Sequence, residues 1–209
     1  MTTIPGMILA FDTSSAACTA ALFDGSGLCI AKADEVIGRG HAERLVPMIA
    51  ELLDGRTAGE IVVGVGPGSF TGIRVAIAAA QGMAIGWGAR LHGMSSLALL
   101  AASSSGTGVV ATAIRGGHGE LFVQQFDRES LHERSSLLNL PPQQAADQAT
   151  ADLVIGSGAN DLVAARGFGE ALDAWPSAAN LMRLPRELRT LPPKPLYARA
   201  PDARVPEAA

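Results

Sequence analysis

Residues Ile61–Trp87, IVVGVGPGSFTGIRVAIAAAQGMAIGW, carry a strand, a turn and a helix in immediate succession. Ile61-Val62-Val63-Gly64-Val65 has the β-branched run of a buried strand, and Gly66-Pro67-Gly68 turns the chain. Ser69 or Thr71 can cap the helix that follows, whose first amides face whatever lies over the turn. From Val75 to Trp87 the only polar side chain is Gln81. A helix apolar on every face must be covered on every face. This one is too short for a bilayer, which takes about 20 apolar residues. One face packs on the chain's own sheet. The opposite face is covered either by a second domain of the same chain or by another protein, and an apolar patch of that size favours the second. Ala78, Gly82 and Gly86 recur at four-residue spacing, so small residues line one side and admit a close helix.

Upstream, Met7–Asp12 is a short apolar run ending in a carboxylate, followed by Thr13 and Ser14. Runs from Cys18 to Phe23 and from Leu28 to Ala33 flank Asp24-Gly25-Ser26-Gly27, which predicts three consecutive antiparallel strands. With Asp24 opposite Gly27, Cys29 faces Leu22 and Cys18 faces Ala33, too far out of register for a disulfide. Gly38-Arg39-Gly40-His41 leads into an amphipathic helix whose wide apolar arc is Leu45, Ile49 and Leu52 with Val46 and Leu53 beside them, and Pro47 should kink it or restart it. Downstream, Arg90–Met94 reads as a strand, and Ser95 or Ser96 caps a helix from Leu97 to Ala102.

Ser103-Ser104-Ser105-Gly106-Thr107-Gly108 reads as a domain boundary, giving a first unit over 1–103 and a smaller one over 104–184. In the second unit, Val109–Ile114 and Leu121–Phe126 are strands and Gln143–Ala149 is helical. Leu153–Ile155 is a further strand, followed by a helix over Asn160–Arg166. Prolines from Pro185 onward predict an extended segment over 185–209. No apolar run reaches membrane-spanning length and the first residues lack a signal peptide's pattern, so a cytoplasmic protein is expected, with no membrane contact.

The residue inventory excludes several chemistries. The formal net charge of -4 argues against a nucleic-acid reader, and the basic residues near the end lack aromatic neighbours for base stacking. The four histidines are scattered, with neither H-E-x-x-H nor Cys-x-x-Cys, so no metal site is expected. Ser69 is not in a G-x-S-x-G elbow. Phosphate binding remains open. The amides of Gly66, Gly68, Ser69, Thr71 and Gly72 can cradle an anion, with Arg74 adding charge and Asp12, Thr13 and Ser14 close by. The loop is neither a P-loop nor G-x-G-x-x-G, and a purely structural turn fits it equally well.

Four segments together resemble the TsaB (YeaZ) family in order and spacing. They are ILAFDTS at 8–14, HAERLVP at 41–47, GVGPGSFTGIR at 64–74 and GMSSL at 93–97. The resemblance is dense from Met7 to Ala102 and thin beyond, apart from Pro195-Leu196-Tyr197-Ala198-Arg199. It implies an α/β fold of the actin-like ATPase superfamily, with two ribonuclease-H-like lobes, the second reduced. It further implies a non-catalytic subunit without a cofactor that pairs with TsaD, and with the ATPase TsaE, for threonylcarbamoyl transfer to tRNA. Contact with tRNA would run through that complex, and the free chain would be a homodimer. The partner-binding residues implied are His41, Leu45, Met48, Ile49, Leu52, Val75, Ala78, Ala79, Gly82 and Gly86. TsaD proteins carry an H-x-x-x-H metal pair where this sequence has Ser95-Ser96-Leu97-Ala98-Leu99. Members of the family also show Asp-Ala-Arg and Glu-Val-Tyr where this chain has Ala113-Ile114-Arg115 and Glu120-Leu121-Phe122. The rival reading is an ATP-binding phosphotransferase of the same fold using Asp12 and the Gly66–Gly72 loop.

Overall fold

The computed structural model describes residues 2–196. Tyr197, Ala198 and Arg199, and with them most of the proline-rich end, lie outside the described residues. Within them the chain forms two five-stranded sheets of the same topology. In the first, β1 (Thr2–Asp12), β2 (Ala17–Phe23) and β3 (Cys29–Val36) are antiparallel neighbours. Then come α1 (His41–Leu53), β4 (Arg56–Gly64), α2 (Phe70–Trp87) and β5 (Arg90–Met94), with β4 parallel to both β1 and β5. The strand order is β3-β2-β1-β4-β5.

The second sheet repeats this plan after α3 (Ser96–Ala101). Its elements are β6 (Val109–Arg115), β7 (Leu121–Asp127), β8 (Leu138–Leu140), α4 (Pro142–Ala146), β9 (Leu153–Ile155), α5 (Ala159–Arg166) and β10 (Glu170–Leu172). Its order, β8-β7-β6-β9-β10, matches the first strand for strand. Two lobes built on a three-strand meander followed by parallel crossovers define the ribonuclease-H-like plan of the actin-like ATPase superfamily. The second lobe is the reduced one, since β8, β9 and β10 span only three residues each.

Two cores hold the first sheet. On one face, Leu9, Phe11, Leu22, Leu45, Met48, Ile49, Ile73 and Ile77 form one cluster beneath α1 and α2. Each such buried side chain contributes about 1.5–3 kcal/mol. On the other face, α3 is enclosed between the sheets with Phe23, Met94, Leu97, Val110 and Phe126. The two lobes therefore share one continuous apolar layer.

Several local expectations are revised. A register shift between Leu22 and Phe23 pairs Phe23 with Cys29 and Cys18 with Glu35, and both cysteines stay free. The α1 helix runs unbroken through Pro47, which sits on the exposed side of the helix. Past Pro185 the chain forms one helical turn, α6 (Arg186–Arg189), before the next proline. Pro185 takes the N-cap position, and a proline at a helix start loses no hydrogen bond.

Arg44 pins α1 to the edge of the sheet. Its guanidinium donates to Glu35 on β3 at 2.6 and 2.8 Å, and to Glu51 one helical stretch further on at 2.9 Å. These bonds hold both carboxyls below the ordinary value of 4.5. A carboxylate depressed in the folded state stabilises above its unfolded pKa and loses that contribution as pH falls through the folded one. The stability gap between the native chain and Arg44→Ala should therefore be full at neutral pH and close on acidification below 4.5. Urea melts of both proteins across that range check it; a gap that is constant with pH would contradict the assignment.

Candidate functional site

The turn between β4 and α2 is set by backbone contacts that only glycine permits. A Cβ at Gly64 would land on the Asp12 carboxylate, at Gly68 on the Ser14 carbonyl, and at Gly72 on the Thr13 carbonyl. Gly68 also has φ +154, where an L side chain is strained. The first β-turn thus lies directly against the loop and is bonded to it. Ser69 N–H donates to the Ser14 carbonyl at 2.6 Å, and the Thr13 hydroxyl donates to the Gly72 carbonyl at 2.7 Å. Ser69 is the N-cap of α2, its hydroxyl accepting from Gly72 N–H at 3.2 Å.

Asp12 is fully buried and fully engaged. Its Oδ1 accepts from the Ser14 amide at 2.7 Å and the Ser14 hydroxyl at 2.6 Å. Its Oδ2 accepts from the Ser96 hydroxyl at 2.5 Å. Ser96 Oγ in turn accepts from Gly66 N–H at 3.2 Å, so one serine joins the start of α3 to both turns. Of the loop amides, that of Ser69 donates to the Ser14 carbonyl, that of Gly66 to the Ser96 hydroxyl and that of Gly72 to the Ser69 hydroxyl, and Gly68, Ser69, Thr71 and Gly72 line the cleft between the two lobes. Of the residues expected around a phosphate, Asp12, Thr13 and Gly72 are buried, while Ser69, Thr71 and Arg74 remain exposed. The guanidinium of Arg74 lies 3.5 Å over the Phe70 ring.

Beside this turn a cleft of about 1250 Å³ separates the two lobes. His41 and Glu43 reach it from α1, Phe70 and Arg74 from α2, and Arg115 and Trp175 from the second lobe. Arg115 is bound to Asp161 through two bonds of 2.6 and 3.2 Å, which hold that carboxyl below its usual range. His41 Nε2 is buried and has no hydrogen-bond partner among the described residues. Among those residues no group of three or more His, Cys, Asp or Glu lies close enough to hold a metal ion. Among the described residues no helix is long and apolar enough to cross a membrane.

The outer face of α1 and α2 is the second feature. Gly72, Ile73, Ala76, Ile77 and Ala80 turn inward and are buried. On the opposite side Ala78, Gly82, Ile85 and Gly86 are open, Ile85 at 85% exposure, and nothing lies within 4 Å of a Cβ built at Gly82 or Gly86. The second lobe does not cover this face. On α1 the exposed apolar residues are Ala42, Val46 and Ala50, with Val46 at 55%. Here the expected partner-binding set divides. Leu45, Met48 and Ile49 are buried in the chain's own core, so they hold α1 down rather than meet a partner. His41, Leu52, Val75 and Ala79 are half-buried, and Ala78, Gly82 and Gly86 are fully available. Phe70, at 55% exposure, and Ile85 were absent from the expected set, although both lie in the helix whose all-round apolarity was the signal.

Fold and surface together define an actin-like, two-lobed protein whose loop is bonded to its own first turn and whose first-lobe helices carry an exposed apolar strip. Residues 34–149 match the family described as tRNA N6-adenosine threonylcarbamoyltransferase, TsaD. The tRNA threonylcarbamoyladenosine biosynthesis protein TsaB of Escherichia coli K12 is 35% identical over 131 residues, covering 58% of this chain and 55% of that protein. The protein of the same description from Haemophilus influenzae is 36% identical over 134 residues, covering 59% and 55%. Two Pseudomonas aeruginosa structures align over nearly the whole chain. One, described as uncharacterized with similarity to peptidase YeaZ, has TM-score 0.78 at 32% identity, covering 93% of this chain and 100% of its own. The other, YeaZ, has TM-score 0.75 at 31%, covering 92% and 99%. The chain belongs to the TsaB (YeaZ) family. Its match spans about 55% of the length of the curated TsaB relatives.

The glycine contacts give a direct test. Gly72→Ala forces a methyl into the Thr13 carbonyl and should cost roughly 1–3 kcal/mol of stability, as overpacking does. Gly82→Ala, in open space, should be neutral or slightly stabilising, since alanine is the better helix former. Thermal melts of the two variants decide it; equal effects would mean the loop does not lie against the first turn.

Proposed function

We propose that this chain takes part in threonylcarbamoyladenosine biosynthesis on tRNA as a non-catalytic docking subunit. The outer face of α1 and α2 packs against TsaD and holds it in its active shape, with TsaE joining the pair. The observation that carries this reading is the uncovered apolar strip Ala78-Gly82-Ile85-Gly86, flanked by Val46 of α1. Small residues at four-residue spacing let a helix of another protein approach closely. Exposed apolar patches of this kind mark interfaces. Relatives named for the same pathway in two organisms support the assignment.

A catalytic role for the loop finds less support. The carboxylate such a reading needs, Asp12, is buried with its oxygens already accepting three hydrogen bonds. Ala78→Arg places a charge in the exposed strip without disturbing the core. Its effect on folding should be within about 0.5 kcal/mol, while co-purification with the cognate TsaD should be abolished. An intact complex would count against the docking reading. Calorimetry with ATP and magnesium should show no micromolar binding to the isolated chain; binding with turnover would favour the phosphotransferase instead.

A further inference from the structure

The last described residues are placed by hydrogen bonds. Leu191 exchanges two backbone bonds with Gly93 near the end of β5, of 2.7 and 3.0 Å, and Leu196 N–H donates to the Val65 carbonyl just past β4 at 2.8 Å. Pro192, Pro193 and Pro195 stiffen the span between these two anchors. Leu196 thereby reaches the wall of the cleft between the lobes, about 1250 Å³ in volume. The next residue is Tyr197, and consecutive Cα atoms lie only about 3.8 Å apart. The chain thus delivers its single tyrosine to the mouth of this cleft.

The cleft offers what that side chain needs. Phe70, Phe122 and Trp175 supply aromatic faces from both lobes, with Phe70 55% exposed. Two buried polar atoms at the cleft have no hydrogen-bond partner among the described residues, His41 Nε2 on α1 and Asn139 Oδ1 on β8. Asn139 is fixed by its other end, its Nδ2 donating to Glu120 at 2.8 Å. A buried acceptor without a donor is costly, and a phenol brings one hydroxyl donor on an apolar ring. Two residues on, Arg199 carries a cation on the same side of an extended chain, with the small Ala198 between. Carboxylates stand at the cleft on both lobes, Glu43 exposed on α1 and Glu120 half-buried just ahead of β7. The half-buried one gains more from a cation, because water screens it less.

We propose that the segment Tyr197-Ala198-Arg199 docks in this cleft as a strap across both lobes. The tyrosine ring sits among Phe70, Phe122 and Trp175, its hydroxyl donates to Asn139 Oδ1, and the Arg199 guanidinium pairs with Glu120. The occupant is a segment of this same chain, and the cleft is closed to a small ligand while the strap is in place. The inference concerns the cleft between the lobes and does not rest on the docking reading of the α1–α2 face.

Limited trypsin digestion of the full chain, followed by mass spectrometry, reads the strap against an internal control. The bond after Arg199 lies at the strap and the bond after Arg204 lies beyond it. In the native protein the cut after Arg199 should be about tenfold slower than the cut after Arg204, as for a bond that must undock before cleavage. Tyr197→Ala should bring the two rates together while the circular dichroism spectrum stays native. A second reading uses Trp175, made the lone tryptophan by Trp87→Phe. Acrylamide should quench it roughly twice as strongly once Tyr197→Ala is added, whereas Val205→Ala should change nothing. Equal rates of the two cuts in the native chain, or Trp175 quenching that ignores Tyr197, would overturn the inference and leave the cleft to another occupant.

Discussion

The structure depends on one close approach of backbone to backbone. The turn that ends β1 presses the Ser14 and Thr13 carbonyls against Gly68 and Gly72, with the Asp12 carboxylate against Gly64, at distances no side chain would allow. That contact fixes where α2 begins, because Ser69 both caps the helix and donates its amide to Ser14. It also engages the Ser69 amide, one of the donors that a glycine-rich loop at a helix start otherwise offers to an anion. One constraint therefore ties the loop to the first turn and aims the helix.

Where α2 points decides what its apolar body does. Five residues of one stripe are buried on the sheet, and the stripe opposite faces solvent with alanine, glycine and isoleucine. A surface helix normally separates these two environments by polarity. This helix does not, whereas α1 does, with Glu43, Arg44 and Glu51 placed away from its buried row. Burial of Leu45, Met48 and Ile49 beside α2 leaves the two helices locked together as one surface.

How far the sequence could be read follows from the same physics. Long apolar runs marked β1, β2 and β4, because both faces of the sheet are covered, and α2, whose apolar body stays exposed on one side. The arc of α1 was equally visible, but periodicity marks a face as apolar without saying which neighbour covers it. Leu45, Met48 and Ile49 pointed inward for that reason. The bulge at Phe23 could not be read, since it depends on turn geometry rather than side-chain type. Ser96 had the look of a helix cap; that its hydroxyl binds Asp12 depends on a contact across 84 residues. In the second lobe, the three-residue strands β8 and β10 carry too little pattern to stand out, whereas β9, of the same length, was read from its unbroken apolar run Leu153–Ile155.

The second lobe shows that the glycine contact belongs to the fold and not to one loop. Its strands follow the same order, and Gly156, just past β9, occupies the place that the glycines past β4 hold in the first lobe. A Cβ at Gly156 would land on the carbonyl of Ala113 near the end of β6, the counterpart of β1. Gly158 N–H donates to that same carbonyl at 2.9 Å, as Ser69 donates to Ser14. What the second lobe lacks is helix. Its α4 and α5 have 5 and 8 residues against 13 and 18 for α1 and α2. A helix of two turns has no second stripe long enough to engage a partner once the first is buried. With the same plan and the same turns, the lobe with long helices has an apolar helix stripe left over, whereas the exposed large apolar residues of the second lobe, Val109, Phe168 and Leu172, lie off its helices. The proposed docking through one lobe draws on that difference in helix length.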